Sequence, residues 1–127
     1  MASSSKPQRP LLLCIDDDQV ALRVRKLLLN SAGYEVLSAS SGEAGLDMLA
    51  ENAVDLVIAD HFLDAKSGTE IAREMKELKP DVPVLIFSAA AEKLDGLEFA
   101  DGFVPKGEAP DELLGVVARL LKGQPAS

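Results

Sequence analysis

Four short apolar runs in this chain end in side chains whose chemistry fits together. Asp60 closes the run Val54-Asp55-Leu56-Val57-Ile58-Ala59-Asp60. Leu11-Leu12-Leu13-Cys14-Ile15 runs into Asp16-Asp17-Asp18, Pro83-Val84-Leu85-Ile86-Phe87 into Ser88, and Gly102-Phe103-Val104-Pro105 into Lys106. Runs of this length read as buried strands of a parallel sheet. Open α/β sheets carry their chemistry outside the carboxyl ends of the strands. If the four strands are parallel, acids, a hydroxyl and an ammonium converge on one edge. Clustered carboxylates suit a hard divalent cation, and a lysine beside a hydroxyl suits a phosphoryl group.

The elements that must place these side chains alternate strand and helix. Strand 11–15 leads into a helix from Gln19 to Ala32, with Val20, Leu22, Val24, Leu27, Leu28 and Leu29 as its apolar face and Gly33 as its stop. Tyr34 to Ser38 reads as the second strand. Ser41 suits the N-cap of a helix carrying Ala44, Leu46, Met48 and Leu49. The third strand is 54–59, and Ser67 or Gly68 opens a helix with Ile71, Met75 and Leu78 on one side. Pro80 and Pro83 bracket the turn into strand four, 83–87, and strand five lies near 102–104. Pro110 sits in the first turn of a last helix, with Leu113, Leu114, Val116, Val117, Leu120 and Leu121 apolar and Gly123 at its end. Between strands four and five the helix candidate, Ala90 to Leu97, is short and interrupted by Gly96, so a reduced fourth helix is expected. Five strands alternating with helices imply a doubly wound α/β domain with right-handed crossovers and helices on both faces.

A chain of 127 residues suits one domain with a single core. Residues 1–10 read as a flexible tail, 11–123 as the domain and 124–127 as a short C-terminal tail. Hydrophobic residues at 47% and charged residues at 27% are ordinary for a soluble globular protein. No run is long enough for a membrane span, and Met1 to Pro10 lacks the apolar core of a secretory signal. The single cysteine, Cys14, excludes an internal disulfide and reads as a buried inert thiol. A cytoplasmic location is expected. The net charge of -8 argues against direct contact with nucleic acid.

In Asp16-Asp17 after strand one, Asp60 after strand three, Ser88-Ala89 after strand four and Lys106 after strand five, the chain resembles the receiver domain of two-component response regulators. The resemblance covers residues 11–122. It implies a flavodoxin-like (βα)5 sheet in the order 2-1-3-4-5. It implies that Asp60 is the phosphoacceptor, attacking a phosphoryl group on a histidine of a histidine kinase or phosphotransfer protein. Asp16, Asp17 and the backbone carbonyl of Phe62 would help Asp60 hold Mg²⁺, which keeps exchangeable waters among oxygen ligands. Ser88, Ala89 and Lys106 would receive the phosphate, and Ser88 with Phe103 would form the switch pair. A stand-alone phosphorelay component or protein-binding switch is expected, with an unidentified target, as a monomer or a phosphorylation-dependent homodimer. It would be a signalling protein rather than an enzyme, catalysing only its own phosphorylation and dephosphorylation.

The chain departs from the family in several places. Asp64 stands where a proline is usual, and only Gly68 survives of the usual Asp-Gly ending of that loop. Gly107 follows Lys106 in place of the family's cis proline; a cis bond there would cost about 2.5–4 kcal/mol, so a trans bond is expected. Phe103 lacks the hydroxyl of a tyrosine, so its movement would be driven by packing alone. Phe62 and Ala90 stand at positions that tune dephosphorylation, and a bulky Phe62 predicts a long-lived phosphate.

Other readings compete. Asp16 to Asp18 would also serve as an N-cap and first-turn acids. Ser88, Lys106 and Phe62 taken singly would be ordinary strand-end, solvated and packing residues. His61, with no second histidine, reads as a solvated or partner-facing loop residue rather than a zinc ligand. A pseudoreceiver, an interaction module that signals without phosphate, is the alternative function. A phosphatase with an aspartate nucleophile would need a second aspartate two residues on, and position 62 is Phe.

Overall fold

The apolar runs are continuous rather than alternating because the sheet they form is covered on both faces. The computed structural model describes residues 9–61, 63, 66–89, 97–107 and 110–124. The elements run β1 (Leu11–Ile15), α1 (Gln19–Ser31), β2 (Glu35–Ala39), α2 (Gly42–Glu51), β3 (Leu56–Ala59), α3 (Gly68–Leu78), β4 (Val84–Ser88), β5 (Gly102–Pro105) and α4 (Pro110–Leu121). All strand pairs are parallel, in the order β2-β1-β3-β4-β5. This is the expected doubly wound arrangement. The helix candidate Ala90 to Leu97 falls almost wholly outside the described residues. What is described between β4 and β5 is one 3₁₀ turn, Leu97–Phe99.

Alternate residues of the central strands feed two cores. Leu12, Cys14, Leu56, Ile58, Leu85 and Val104 pack with α1 and α4 on one face. Leu13, Ile15, Val57, Ala59, Val84 and Ile86 pack with α2 and α3 on the other. Burial pushes the Cys14 thiol up to about 12, against a smaller opposing pull from Arg25, so it is an inert core group.

The face of α1 differs from the one expected. Leu22, Arg25 and Leu29 are its buried residues, while Val20, Val24 and Leu27 are exposed. The buried spacing i, i+3, i+7 is the ordinary one for a helix lying on a sheet, and it admits a charged residue at its centre. The strand expected from Val54 starts at Leu56. Val54 donates its N–H to the Asn52 carbonyl and still belongs to the turn from α2.

Ser67 caps α3 in a reciprocal pair: its Oγ accepts from the Glu70 N–H at 3.2 Å, and the Glu70 carboxylate accepts from the Ser67 N–H at 2.8 Å. Ser41 caps α2 by accepting from the Ala44 N–H at 3.1 Å. Pro105 lies on the edge strand β5, where a missing donor is tolerated.

Candidate functional site

The polar residues at the strand ends are held by the sheet's own hydrogen bonding, continued beyond the strands. The Asp16 N–H donates to the Ala39 carbonyl at 3.1 Å and the Asp60 N–H to the Ile15 carbonyl at 3.0 Å. The Lys106 N–H donates to the Ser88 carbonyl at 2.8 Å. The registers Ile15↔Ala59 and Ser88↔Pro105 set Asp16 level with Asp60, with Asp17 one residue further on, and bring Lys106 across from β4.

Asp16, Asp17 and Asp60 each offer a carboxylate oxygen, and these lie within 4.8 Å of one another. Asp16 and Asp60 are buried and Asp17 is exposed. Three hard oxygen donors with one open side fit Mg²⁺, which takes few protein ligands and keeps water on the rest. Lys106 Nζ donates to Asp16 Oδ2 at 2.8 Å and to Asp60 Oδ2 at 3.3 Å. The third acid of the run has a different job. Asp18 is the N-cap of α1, accepting from the N–H groups of Val20 at 3.0 Å and Ala21 at 3.2 Å. The capping reading of the acidic triplet therefore falls on Asp18, while Asp16 and Asp17 lie with Asp60 in the carboxylate cluster.

Burial works against ionisation of Asp16, but its hydrogen bonds win. Lys106 Nζ, the Asp18 N–H and the charge of Lys106, with Arg25 adding to them, hold the carboxyl below its usual value. Arg25 was not singled out in the sequence. Its guanidinium Nη2 donates to Asp16 Oδ2 at 3.1 Å, both side chains being almost fully buried. The signal was available: an arginine three residues after Leu22 and four before Leu29, on the face that must meet the sheet.

Ser88 is fully buried at the end of β4, and Ala89 beside it is exposed. Phe103 is half-buried and packs on the α2–α3 side of the sheet. Phe62, Asp64 and Ala90 lie outside the described residues. His61 is half-buried rather than solvated, and its carbonyl accepts from the Gly68 N–H at 2.8 Å. No cis peptide occurs among the described residues, so the Lys106–Gly107 bond is trans. Gly68 matters for a reason its place in the loop did not reveal. A Cβ there would collide with the Asp60 carbonyl oxygen and sit 2.8 Å from the Asp60 carbonyl carbon and the His61 Cα.

Three acids and a lysine thus meet at the carboxyl edge of a doubly wound parallel sheet. Residues 12–118 match the family model for the response regulator receiver domain, and the chain belongs to that family. Response regulator MprA of Mycobacterium sp. (strain KMS) is 32% identical over 115 residues, covering 87% of this chain and 50% of MprA. Transcriptional regulatory protein GlrR of Escherichia coli (strain K12) is 41% identical over 86 residues, covering 68% of this chain and 19% of GlrR. The chain thus spans half or less of these relatives' lengths. Among solved structures, a CheY-like receiver domain protein from Methanospirillum hungatei has a TM-score of 0.85 at 27% identity, covering 92% of this chain and 97% of its own. Response regulator TrrA from Thermotoga maritima, in complex with Mg²⁺-BeF, has a TM-score of 0.84 at 30% identity, covering 87% and 98%. No helix among the described residues is long and apolar enough to cross a membrane.

Proposed function

We propose that Asp60 accepts a phosphoryl group from a histidine of a histidine kinase or phosphotransfer protein, with Mg²⁺ held by Asp16, Asp17 and Asp60. The observation that carries this reading is the convergence of the three carboxylates within 4.8 Å, with Lys106 bonded to two of them. An Asp60 oxygen attacks phosphorus, the phosphorus–nitrogen bond to the donor imidazole breaks, and the donor keeps the nitrogen's electron pair. When bound, Mg²⁺ neutralises charge on the phosphoryl oxygens and the acids. Lys106 stands at the Asp60 oxygen and pairs with the incoming phosphate. Ser88 supplies the hydroxyl for a phosphate oxygen, and Phe103 follows it by packing. Exposed Ala89 leaves the approach open.

Docking of the phosphodonor is assigned to the exposed face of α1. Val20, Val24 and Leu27 form an apolar stripe at i, i+4 and i+7, directly after the acids. A groove of about 330 Å³ lined by Val24, Leu28, Phe87 and Leu113, and also by Arg25 and Lys106 of the site, lies against it. The test is intact-mass analysis after incubation with acetyl phosphate, with and without Mg²⁺. Wild type gains one phosphoryl group only with Mg²⁺, and Asp60→Asn gains none. Identical spectra for the two proteins would refute the proposal.

A further inference from the structure

Arg25 is the one cation among the buried described residues. Its guanidinium lies over the Phe87 ring, 4.8 Å from the centroid, and donates through Nη2 to Asp16 Oδ2. Its Nη1 is buried without a hydrogen-bond partner. An apolar side chain would fill such a position on a sheet-facing helix at less cost. The charge therefore calls for a reason beyond packing. The same Asp16 oxygen also accepts from Lys106 Nζ, so two cations share one carboxylate.

We infer that Arg25 is a resident counter-cation and a positioning residue of the phosphorylation site. It holds the charge of Asp16 so that Lys106 can leave for the phosphoryl group, and it moderates the attraction of the acid cluster for the divalent cation. The inference rests on the phosphoacceptor reading given above. Three carboxylates are accompanied by two cations, Arg25 and Lys106, which leaves one net negative charge. Removing Arg25 leaves two. Lys106 is then the only protein cation on Asp16, and moving it to the phosphate leaves that buried carboxylate to the divalent cation alone. Divalent-cation affinity and phosphorylation rate should therefore move in opposite directions when the charge of Arg25 is lost.

The experiment is calorimetric titration of the whole chain with MgCl₂, paired with acetyl phosphate labelling at saturating Mg²⁺. A unit charge about 6 Å from a divalent cation shifts its affinity about tenfold even at the dielectric of bulk water. Arg25→Met is expected to bind Mg²⁺ about tenfold more tightly and to label several-fold more slowly. Arg25→Lys restores both values toward wild type. Arg25→Gln, which keeps N–H donors without the charge, gives the result of Arg25→Met and replaces it if that variant is unstable. Unchanged Mg²⁺ affinity in the neutral variants, or a parallel fall in affinity and rate, would overturn the inference. So would failure of both neutral variants to fold while Arg25→Lys folds, since that assigns Arg25 to stability alone. If wild type and every variant fail to bind Mg²⁺, the phosphoacceptor reading falls and takes the inference with it.

Discussion

Gly68→Ala tests whether the backbone around Asp60 is as tightly built as its contacts indicate. A Cβ at position 68 meets the carbonyl group of Asp60 and the Cα of His61, all backbone atoms. They cannot swing aside as a side-chain tip would. The Asp60 N–H is fixed to Ile15, and the His61 carbonyl is fixed by the Gly68 N–H itself. Overpacking of this kind costs about 1–3 kcal/mol. Gly68 is also the first residue of α3, and replacing glycine with alanine in a helix returns roughly 0.5–1 kcal/mol. The net loss is about 1–2 kcal/mol. For a domain of this size that lowers Tm by roughly 3–8 °C. Gly115 is the control, because it lies inside α4 and its added Cβ would meet nothing closer than Arg119 Nη1 at 3.9 Å. Gly115→Ala should raise Tm by about 2–4 °C from the same propensity gain. Urea and thermal unfolding followed by circular dichroism measure both variants, and acetyl phosphate labelling of the folded proteins reports on Asp60. Gly68→Ala should label more slowly and Gly115→Ala at the wild-type rate. Equal stability gains for the two variants, with normal labelling of both, would refute the close approach.

Further predictions concern the acids and the outer face of α1. Asp16→Asn strands buried Arg25 and should cost about 3–5 kcal/mol in urea unfolding at neutral pH. In the folded chain Asp16 titrates below its ordinary value of 3.8, so its contribution is complete above that value and is lost as pH falls through the lower, folded one. Wild-type stability should therefore fall more than that of Asp16→Asn between about pH 5 and about pH 3. Asp17→Asn, at an exposed position, should change stability by no more than about 0.5 kcal/mol yet abolish calorimetric Mg²⁺ binding. Val24→Glu or Leu27→Glu should leave acetyl phosphate labelling intact while slowing transfer from a phosphorylated histidine donor; equal loss of both would place the stripe's role in folding instead.

Much of the fold was legible because buried parallel strands write themselves as unbroken apolar runs. The residue closing each run marks the edge where the ladder bonds to Asp16, Asp60 and Lys106 continue. The acidic triplet was harder, since capping and metal binding ask for the same residue type; only the N–H groups of Val20 and Ala21 show that Asp18 is the cap. The face of α1 was misread by hydropathy. Val20, Val24 and Leu27 are apolar and exposed, while Arg25 is charged and buried against Asp16 nine residues earlier. Burial of an ion depends on its partner, and that partner lies across a strand end, outside any helical period. Gly68 was visible as a surviving motif residue, but its contact with the Asp60 carbonyl is a fact of three dimensions.

The central claim is that the phosphoryl group lands on Asp60. Borohydride reduction of the acetyl phosphate-labelled protein converts an aspartyl phosphate to homoserine, and peptide mapping by mass spectrometry locates it. Homoserine is expected at position 60, dependent on Mg²⁺ and absent without phosphodonor. Homoserine at any other aspartate, or a phosphoryl group that survives reduction on Ser88 or His61, would contradict it.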